Sequence, residues 1–228
     1  TSKTINQYKF YYGNVNASYG RINYFFDYKK KKKNSIISGL QERKKKAEKK
    51  TILDYNLHLV INNDFEPERH LEEIHRLPQM GISSLKIFTT YEDIYMLDDS
   101  KLQKIFEAAA KAGLVVTVHS ENNEIIKSRE KKYRSKDKID YKYHPDIRPG
   151  KAEKKAIQNL IYYAEKSGAK LYIVHLSSAE GYEVVRKAKS RGIDIKVETT
   201  PHYLLLSRDL LVGEEAKYNF MTPPLRSK

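Results

Sequence analysis

The sequence predicts an α/β fold with a parallel β-sheet, on the strength of two observations. Short apolar, β-branched segments alternate along the chain with longer segments whose apolar residues recur at helical spacing. Glycines such as Gly113, Gly168 and Gly192 follow the helical segments, where helices usually end. This alternation is typical of βαβ units, whose strands lie parallel. Near-continuous apolar strands further indicate a sheet that is covered on both faces.

About six strand–helix steps can be assigned in chain order. A strand at 24–26 and a helix at 35–49 come first, followed by an apolar strand at 52–61. A helix at 67–80 has Leu71, Ile74 and Leu77 at helical spacing and ends at Gly81. A strand at 85–88 precedes a helix that Asp99 or Ser100 caps and that ends at residue 112.

The second half of the chain continues the pattern after one interruption. A β-branched strand at 114–119 is followed by the polar segment 121–150, with Pro145 and Pro149, which we expect to be a long functional loop. Helices are then predicted at 151–167 and 179–191, and strands at 171–176 and 193–199. The residues alone leave two architectures open, a closed (β/α)8 barrel and an open doubly wound sheet. No glycine-rich phosphate-binding sequence follows a strand, which disfavours a nucleotide-binding enzyme.

Composition excludes several protein classes. The 228 residues allow one large domain or two small ones, and a hydrophobic fraction of 39% excludes a disordered chain. The absence of cysteine excludes a disulfide scaffold, a zinc finger and a thiol nucleophile. No segment approaches the ~20 apolar residues of a membrane span. No apolar leader is visible, so we expect a cytoplasmic protein without a membrane partner.

The chain carries a formal net charge of +14, which favours contact with nucleic acid or acidic surfaces. Five lysines run together at 29–33, and others follow on the helix predicted at 35–49. The remaining basic residues are scattered, and neither an RNA-binding aromatic signature nor a helix-turn-helix pattern is present. We therefore expect a solvated basic surface and no nucleic-acid partner.

Three predicted strands carry residues suited to a metal site. Val116–Val118 and Tyr172–Val174 each run into a histidine, His119 and His175, at the end where barrel enzymes bind ligands. Two histidines in equivalent positions favour a metal site over hydrogen-bonded core residues. Lys86 lies in a third apolar strand, where an ammonium group must find a partner, lose its charge or reach solvent. A neutralised or chemically modified lysine at a metal centre is the functional interpretation.

These residues lie in segments that resemble the dihydropyrimidinase and hydantoinase group of cyclic amidohydrolases. The spacings from Lys86 to His119 and to His175 are 33 and 56 residues, and the matches cover nearly the whole chain. Segment 84–91 resembles the family's modified-lysine strand, and 54–58 resembles its D-Y-x-x-H strand. Segments 118–122, 144–153 and 174–178 resemble its V-H-A-E-N, H…R-P…E and V-H-V-S-S motifs. Segments 198–204 and 222–226 resemble E-T-C-P-Q-Y-L and S-P-P-L-R.

The resemblance implies a TIM-type (β/α)8 barrel of the metal-dependent hydrolase superfamily. It implies that Lys86, as N6-carboxylysine, bridges two divalent metals, usually zinc, with His119 and His175 as further ligands. Tyr91 would hydrogen-bond the oxyanion that develops as water attacks the ring amide. Thr222 stands where the family has a substrate-contacting serine. The implied substrate is a small cyclic amide or ureide, and the family context is pyrimidine catabolism in a homo-oligomer, commonly a tetramer.

The sequence also departs from the family pattern. The H-x-H pair of the first barrel strand is absent, and the late metal-binding aspartate is not found after Thr222–Arg226. The segment 18–21 resembles one that follows H-x-H. We therefore expect residues 1–228 to form one partial barrel domain with roughly strands two to seven. Such a chain has the ligands of only one metal complete, leaves two sheet edges unpaired, and is expected to be inactive or nearly so in isolation.

Two other functions stay open. An allantoinase- or dihydroorotase-like enzyme is favoured by His202, which could contact substrate or could be a polar residue near the rim. A non-catalytic, self-assembling relative is the second alternative, and the presence of Lys86, His119 and His175 argues against it. Of the other histidines, we expect His58 to be structural and His144 to organise the predicted loop, with a role in a site lid as the alternative. His70 and His75 are expected to face solvent on a helix.

Overall fold

The fold is a parallel sheet of six strands with helices between them. A computed structural model of the chain describes residues 10–19, 21–22, 24–30 and 35–228. Over these ranges the strands are paired in chain order, β1 to β6, and every pair is parallel. The strands are β1 Tyr24–Lys30, β2 Asp54–Val60, β3 Ser84–Phe88, β4 Val115–His119, β5 Lys170–Ile173 and β6 Ile195–Val197. A doubly wound sheet would reverse its strand order, so this sequential order is that of a partial barrel.

Most helices lie where the sequence predicts them. They are α1 Phe10–Tyr19, α2 Ile36–Glu48, α3 Pro67–Arg76, α4 Asp99–Ala112, α5 Asn123–Arg134, α6 His144–Ile147, α7 Gly150–Ser167, α8 Ala179–Ser190 and α9 Pro201–Leu205. The helix expected over 67–80 is divided, since α3 ends at Arg76 and a 3₁₀ turn, Pro78–Met80, follows. Asp98, not Asp99 or Ser100, caps α4, because its side chain accepts a hydrogen bond from the Lys101 backbone. None of the helices in the described ranges is long and apolar enough to cross a membrane.

Two further sequence expectations are wrong. The segment 121–150 is mostly helical, with Asn122 capping α5, a 3₁₀ turn and α6 before α7 begins. His70 does not face solvent, because its side chain is fully buried, stacks on Phe65 with centroids 5.6 Å apart, and accepts the Glu66 N–H at 3.0 Å. The resemblance at 18–21 and the lysine run at 29–33 fall partly outside the described residues.

The two faces of the sheet differ in polarity. Alternate strand residues such as Leu85, Ile87, Val116 and Val118 are fully buried and belong to the hydrophobic core that the helices cover. The intervening residues point to the opposite face and include Ser84 and Lys86 on β3, His58 on β2, and Thr117 and His119 on β4. The sheet therefore alternates apolar and polar residues, and its polar face carries the predicted site.

Candidate active site

The predicted imidazole ligands are adjacent in the structure. His119 is the last residue of β4, and His175 lies two residues beyond the end of β5, its neighbour in the sheet. The Nδ1 atom of His119 is 3.1 Å from the Nε2 atom of His175. At that distance one ring can donate a hydrogen bond to the other, or the two nitrogens can share a cation.

Both rings are neutral near pH 7. Burial lowers the pKa of His119 and lowers that of His175 to about 3, and the positive charge of Lys86 acts in the same direction on both. His175 also has a φ of 41°, in the left-handed region that non-glycine residues rarely adopt. Among the described residues, its buried Nδ1 atom has no hydrogen-bond partner. Neutral imidazole is the form that binds metal ions.

Lys86 lies on the same polar face, on the strand before β4. The strand register pairs Lys86 with Thr117 and Phe88 with His119. Lys86 is 3% exposed, and its Nζ atom is 5.1 Å from the centroid of the Phe88 ring. Burial lowers the pKa of this amine to about 7, an effect that the carboxylate of Glu198 partly offsets. The amine is therefore buried, and its charge acts on both imidazoles.

The distance between the facing nitrogens of His119 and His175 fits their binding to one metal ion. Two nitrogens about 2.05 Å from one zinc ion at a tetrahedral angle lie about 3.3 Å apart, close to the observed separation. In the part of the chain that the structure describes, no group of three or more His, Cys, Asp or Glu side chains could hold a metal ion. Within the described residues, a third protein ligand beside the two imidazoles would therefore be of another residue type.

Tyr91 lies beside the imidazole pair, in the turn that follows β3. Its ring centroid is 5.2 Å from that of His119, and the Arg148 guanidinium lies 5.2 Å from the same tyrosine ring. Its backbone has a φ of 66°, a second strained residue at the end of a strand. Burial raises the pKa of the Tyr91 phenol, although hydrogen bonds with Thr222 and Arg148 partly offset this. The phenol is therefore a protonated donor at neutral pH.

The segment that contains Thr222 lies over the same site. The Nε2 atom of His144 is 3.0 Å from the carbonyl oxygen of Met221 and 3.2 Å from the Thr222 hydroxyl. The Tyr203 hydroxyl donates to the Pro223 carbonyl at 2.6 Å, and Arg226 donates to the Ser177 hydroxyl. These contacts hold Thr222 against Tyr91 and so bring it into the cluster.

Comparisons with known proteins match this chain to hydantoinases. A D-hydantoinase of Ralstonia pickettii is 37% identical over 182 residues, which are 78% of this chain and 39% of the relative. A D-hydantoinase of Geobacillus stearothermophilus is 32% identical over 99% of this chain and 48% of the relative. The solved structure of dihydropyrimidinase from Brevibacillus agri NCHU1002 matches with a TM-score of 0.90 and 31% identity over 96% of this chain and 48% of that one. No protein-family model matches.

The chain belongs to the hydantoinase and dihydropyrimidinase family. It spans about half the length, or less, of the relatives that it matches. The parallel sheet corresponds to the barrel of the solved hydantoinases, which confirms the predicted fold class as a partial TIM-type barrel.

His202, also predicted to belong to the hydantoinase site, makes its observed contacts outside the cluster of the other predicted site residues. Its Nε2 atom is 2.7 Å from the Thr200 hydroxyl, and its ring packs on Tyr203 with centroids 4.4 Å apart. These contacts are with chain neighbours and leave its substrate role a prediction. His58 bonds Ser84 through Nδ1 at 2.6 Å and stacks on Phe26, in agreement with a structural role.

Sequence reasoning assigned no role to two buried carboxylates of this site. Glu121 is fully buried and its Oε2 atom accepts from His119 Nε2 at 2.7 Å and from Arg148 Nη1. Glu153, 2% exposed, accepts from the backbone N–H groups of Ser177 and Ser178 at 3.0 and 2.8 Å. Both residues stood inside the quoted motifs, so the signal was present, but nothing in a single sequence shows which side chain a carboxylate contacts.

Proposed function

We propose that the protein carrying this chain is a metal-dependent cyclic amidohydrolase. It would open the ring amide of a dihydropyrimidine or hydantoin to give an N-carbamoyl amino acid. The observation that carries the proposal is the neutral imidazole pair of His119 and His175 beside the buried Lys86. The relatives named above are D-hydantoinases and a dihydropyrimidinase, which supports this substrate class over an allantoinase- or dihydroorotase-like one.

Lys86, His119 and His175 would hold the metal. Because burial disfavours the ammonium form, the neutral amine of Lys86 is available to add CO₂. A new N–C bond then forms, one proton is released, and the product is a carbamate anion with two donor oxygens. Two divalent ions, with zinc expected and manganese or cobalt as alternatives, would polarise the ring carbonyl and lower the pKa of the attacking water.

The remaining residues of the cluster would act on the substrate. Tyr91 holds its proton and can donate a hydrogen bond to the oxygen that becomes negative when the ring amide is attacked. Thr222, fixed by His144, would contact the ring beside it. His202 would bind substrate at the rim. A homo-oligomer and a place in pyrimidine catabolism are proposed on the resemblance alone, and the cytoplasmic location stays a prediction from the sequence.

A ring-opening assay with dihydrouracil and phenylhydantoin in the presence of zinc tests the function. The chain would be compared with a hybrid in which it replaces the matching segment of the Geobacillus D-hydantoinase. We expect turnover by the hybrid, its loss in Lys86→Ala, its retention in the exposed-lysine control Lys49→Ala, and near-background activity of the 228-residue chain. A folded, zinc-loaded hybrid without ring opening would contradict the function, whereas robust turnover by the chain alone would contradict its expected inactivity.

A further inference from the structure

Glu121 is a fully buried carboxylate that contacts one of the imidazoles and not its neighbour. Its Oε2 atom accepts the hydrogen on Nε2 of His119 at 2.7 Å, whereas Nδ1 of that ring faces His175. A carboxylate only accepts hydrogen bonds, so this contact requires the proton of a neutral His119 to be on Nε2. The Nδ1 atom is then unprotonated, and its lone pair faces His175 Nε2 at 3.1 Å.

Arg148 holds the carboxylate in place. Its Nη1 atom donates to the same Oε2 oxygen, and its guanidinium also lies over the Tyr91 ring. The Arg148 carbonyl oxygen in turn accepts a hydrogen bond from Arg226. Two guanidinium groups in series therefore fix the position of the carboxylate oxygen that contacts His119.

The backbone of Glu121 is fixed as well. Its N–H donates to the Thr89 hydroxyl at 3.0 Å, and that hydroxyl is placed to donate to the carbonyl oxygens of His119 and Glu121 at 3.1 and 2.9 Å. The Asn122 N–H donates to the Ala152 carbonyl. The turn after β4 is therefore tied to β3 and α7, which limits movement of the carboxylate relative to the imidazole.

We propose that Glu121, held by Arg148, is a positioning residue that keeps His119 in the tautomer with an unprotonated Nδ1 and so prepares the imidazole pair for a divalent cation. The prediction that the pair binds a cation rests on the proposed function, whereas the assignment of the His119 tautomer does not. Outer carboxylates that orient a ligating histidine typically change metal affinity by 10–100-fold when removed.

Imidazole ¹⁵N NMR of the metal-free 228-residue chain tests the tautomer, and calorimetric titration with zinc chloride tests the cation. We expect the Nε2–H tautomer of His119 in wild type, a mixture of tautomers in Glu121→Ala, and zinc affinity about 10–100-fold lower in that variant. Glu121→Gln retains an uncharged acceptor and should keep the Nε2–H tautomer with a smaller loss of affinity. Ile74→Ala, a core change on α3, controls for loss of stability and should change neither readout.

The possible results distinguish the positioning role of Glu121 from the metal-based function. An unchanged His119 tautomer in folded Glu121→Ala would overturn the positioning role. If the alanine variant does not fold, a shift away from Nε2–H in folded Glu121→Gln would overturn it instead, because an uncharged acceptor should keep that tautomer. Unchanged zinc affinity in folded Glu121→Ala would overturn it too. A Glu121-dependent tautomer in a chain that binds no zinc would overturn the metal-based function and leave the positioning role standing.

Discussion

His119 and His175 are 56 residues apart in the chain, yet their facing nitrogens are separated by 3.1 Å. The parallel pairing of β4 with β5 accounts for this, since Val118 pairs with Ile173 and the Val174 N–H donates to the Val118 carbonyl. Both histidines lie just beyond that register. The sheet itself therefore builds the pair, and we expect the pair to form without a bound ion.

His175→Ala should abolish most zinc binding by the chain. The change removes one of two neutral imidazole donors, and we expect the affinity to fall by more than about 100-fold, beyond the effect of removing an outer carboxylate. Competition titration with a zinc-binding dye measures this. His202→Ala is the matched control, because that ring contacts Thr200 and Tyr203 and should leave zinc affinity unchanged. Equal losses in the two variants would refute the assignment of His175 as a ligand.

Tyr91→Phe should reduce kcat of the active hybrid by about 10²–10³-fold, the usual effect of removing one donor to a developing oxyanion. The KM should change little, because the phenyl ring still packs between His119 and Arg148. Steady-state ring-opening kinetics with a fixed zinc concentration give both constants. Tyr162→Phe on the exposed face of α7 is the control and should match wild type. An increase in KM at constant kcat would instead assign Tyr91 to substrate binding.

Glu153→Ala should destabilise the chain by about 3 kcal/mol. The carboxylate accepts from the backbone and hydroxyl groups of Ser177 and Ser178 at the start of α8, and truncation leaves these buried donors unpaired. Urea unfolding followed by circular dichroism measures the change. Glu183→Ala on α8 removes an exposed ion pair with Arg186 and should leave the unfolding midpoint almost unchanged. Similar unfolding midpoints for the two variants would contradict the role of Glu153.

Stability should fall as the pH is lowered from about 6.5 toward 4, in part through His144. Burial lowers the pKa of His144 to about 4, with the nearby Arg148 acting in the same direction. The unfolded chain therefore takes up a proton at a higher pH than the native one, and the stabilisation present above pH 6.5 is lost across this window. His144→Gln should show a shallower decline in urea titrations at a series of pH values, by on the order of 2 kcal/mol at the acid end. Parallel curves for wild type and variant would show that His144 does not contribute.

The sequence was most informative where one local pattern decides the structure. Apolar strands that run into His119 and His175, and the glycines that end α4 and α7, are local features and were predicted correctly. The helix α5 was missed because most of its residues are exposed and few apolar residues, such as Ile126, are buried. Its many charged residues leave no clear repeat of apolar residues at helical spacing. The burial of His70 could not be foreseen because it depends on Phe65, five residues earlier, folding back over the ring.

The candidate site was predictable in part for the same reason. Residue type and strand position were enough to select Lys86, His119 and His175, and the family resemblance added Tyr91. The structure places all four on one face or at one edge of the sheet. The contacts of Glu121 with Arg148 and of His144 with Thr222 join residues 27 and 78 positions apart. Such pairings depend on how loops cross the strand ends, which a single sequence does not encode in any local pattern.

The strictly sequential strand order has a consequence for biosynthesis. Each strand from β2 onward pairs with the one made just before it, so no strand has to wait for a later segment to find its partner in the sheet. Short loop closures carry a small entropic cost, and N-terminal units can fold while the ribosome is still extending the chain. We therefore expect the nascent polypeptide to acquire its sheet stepwise, with the imidazole pair assembled only once β5 and the residues after it have left the exit tunnel.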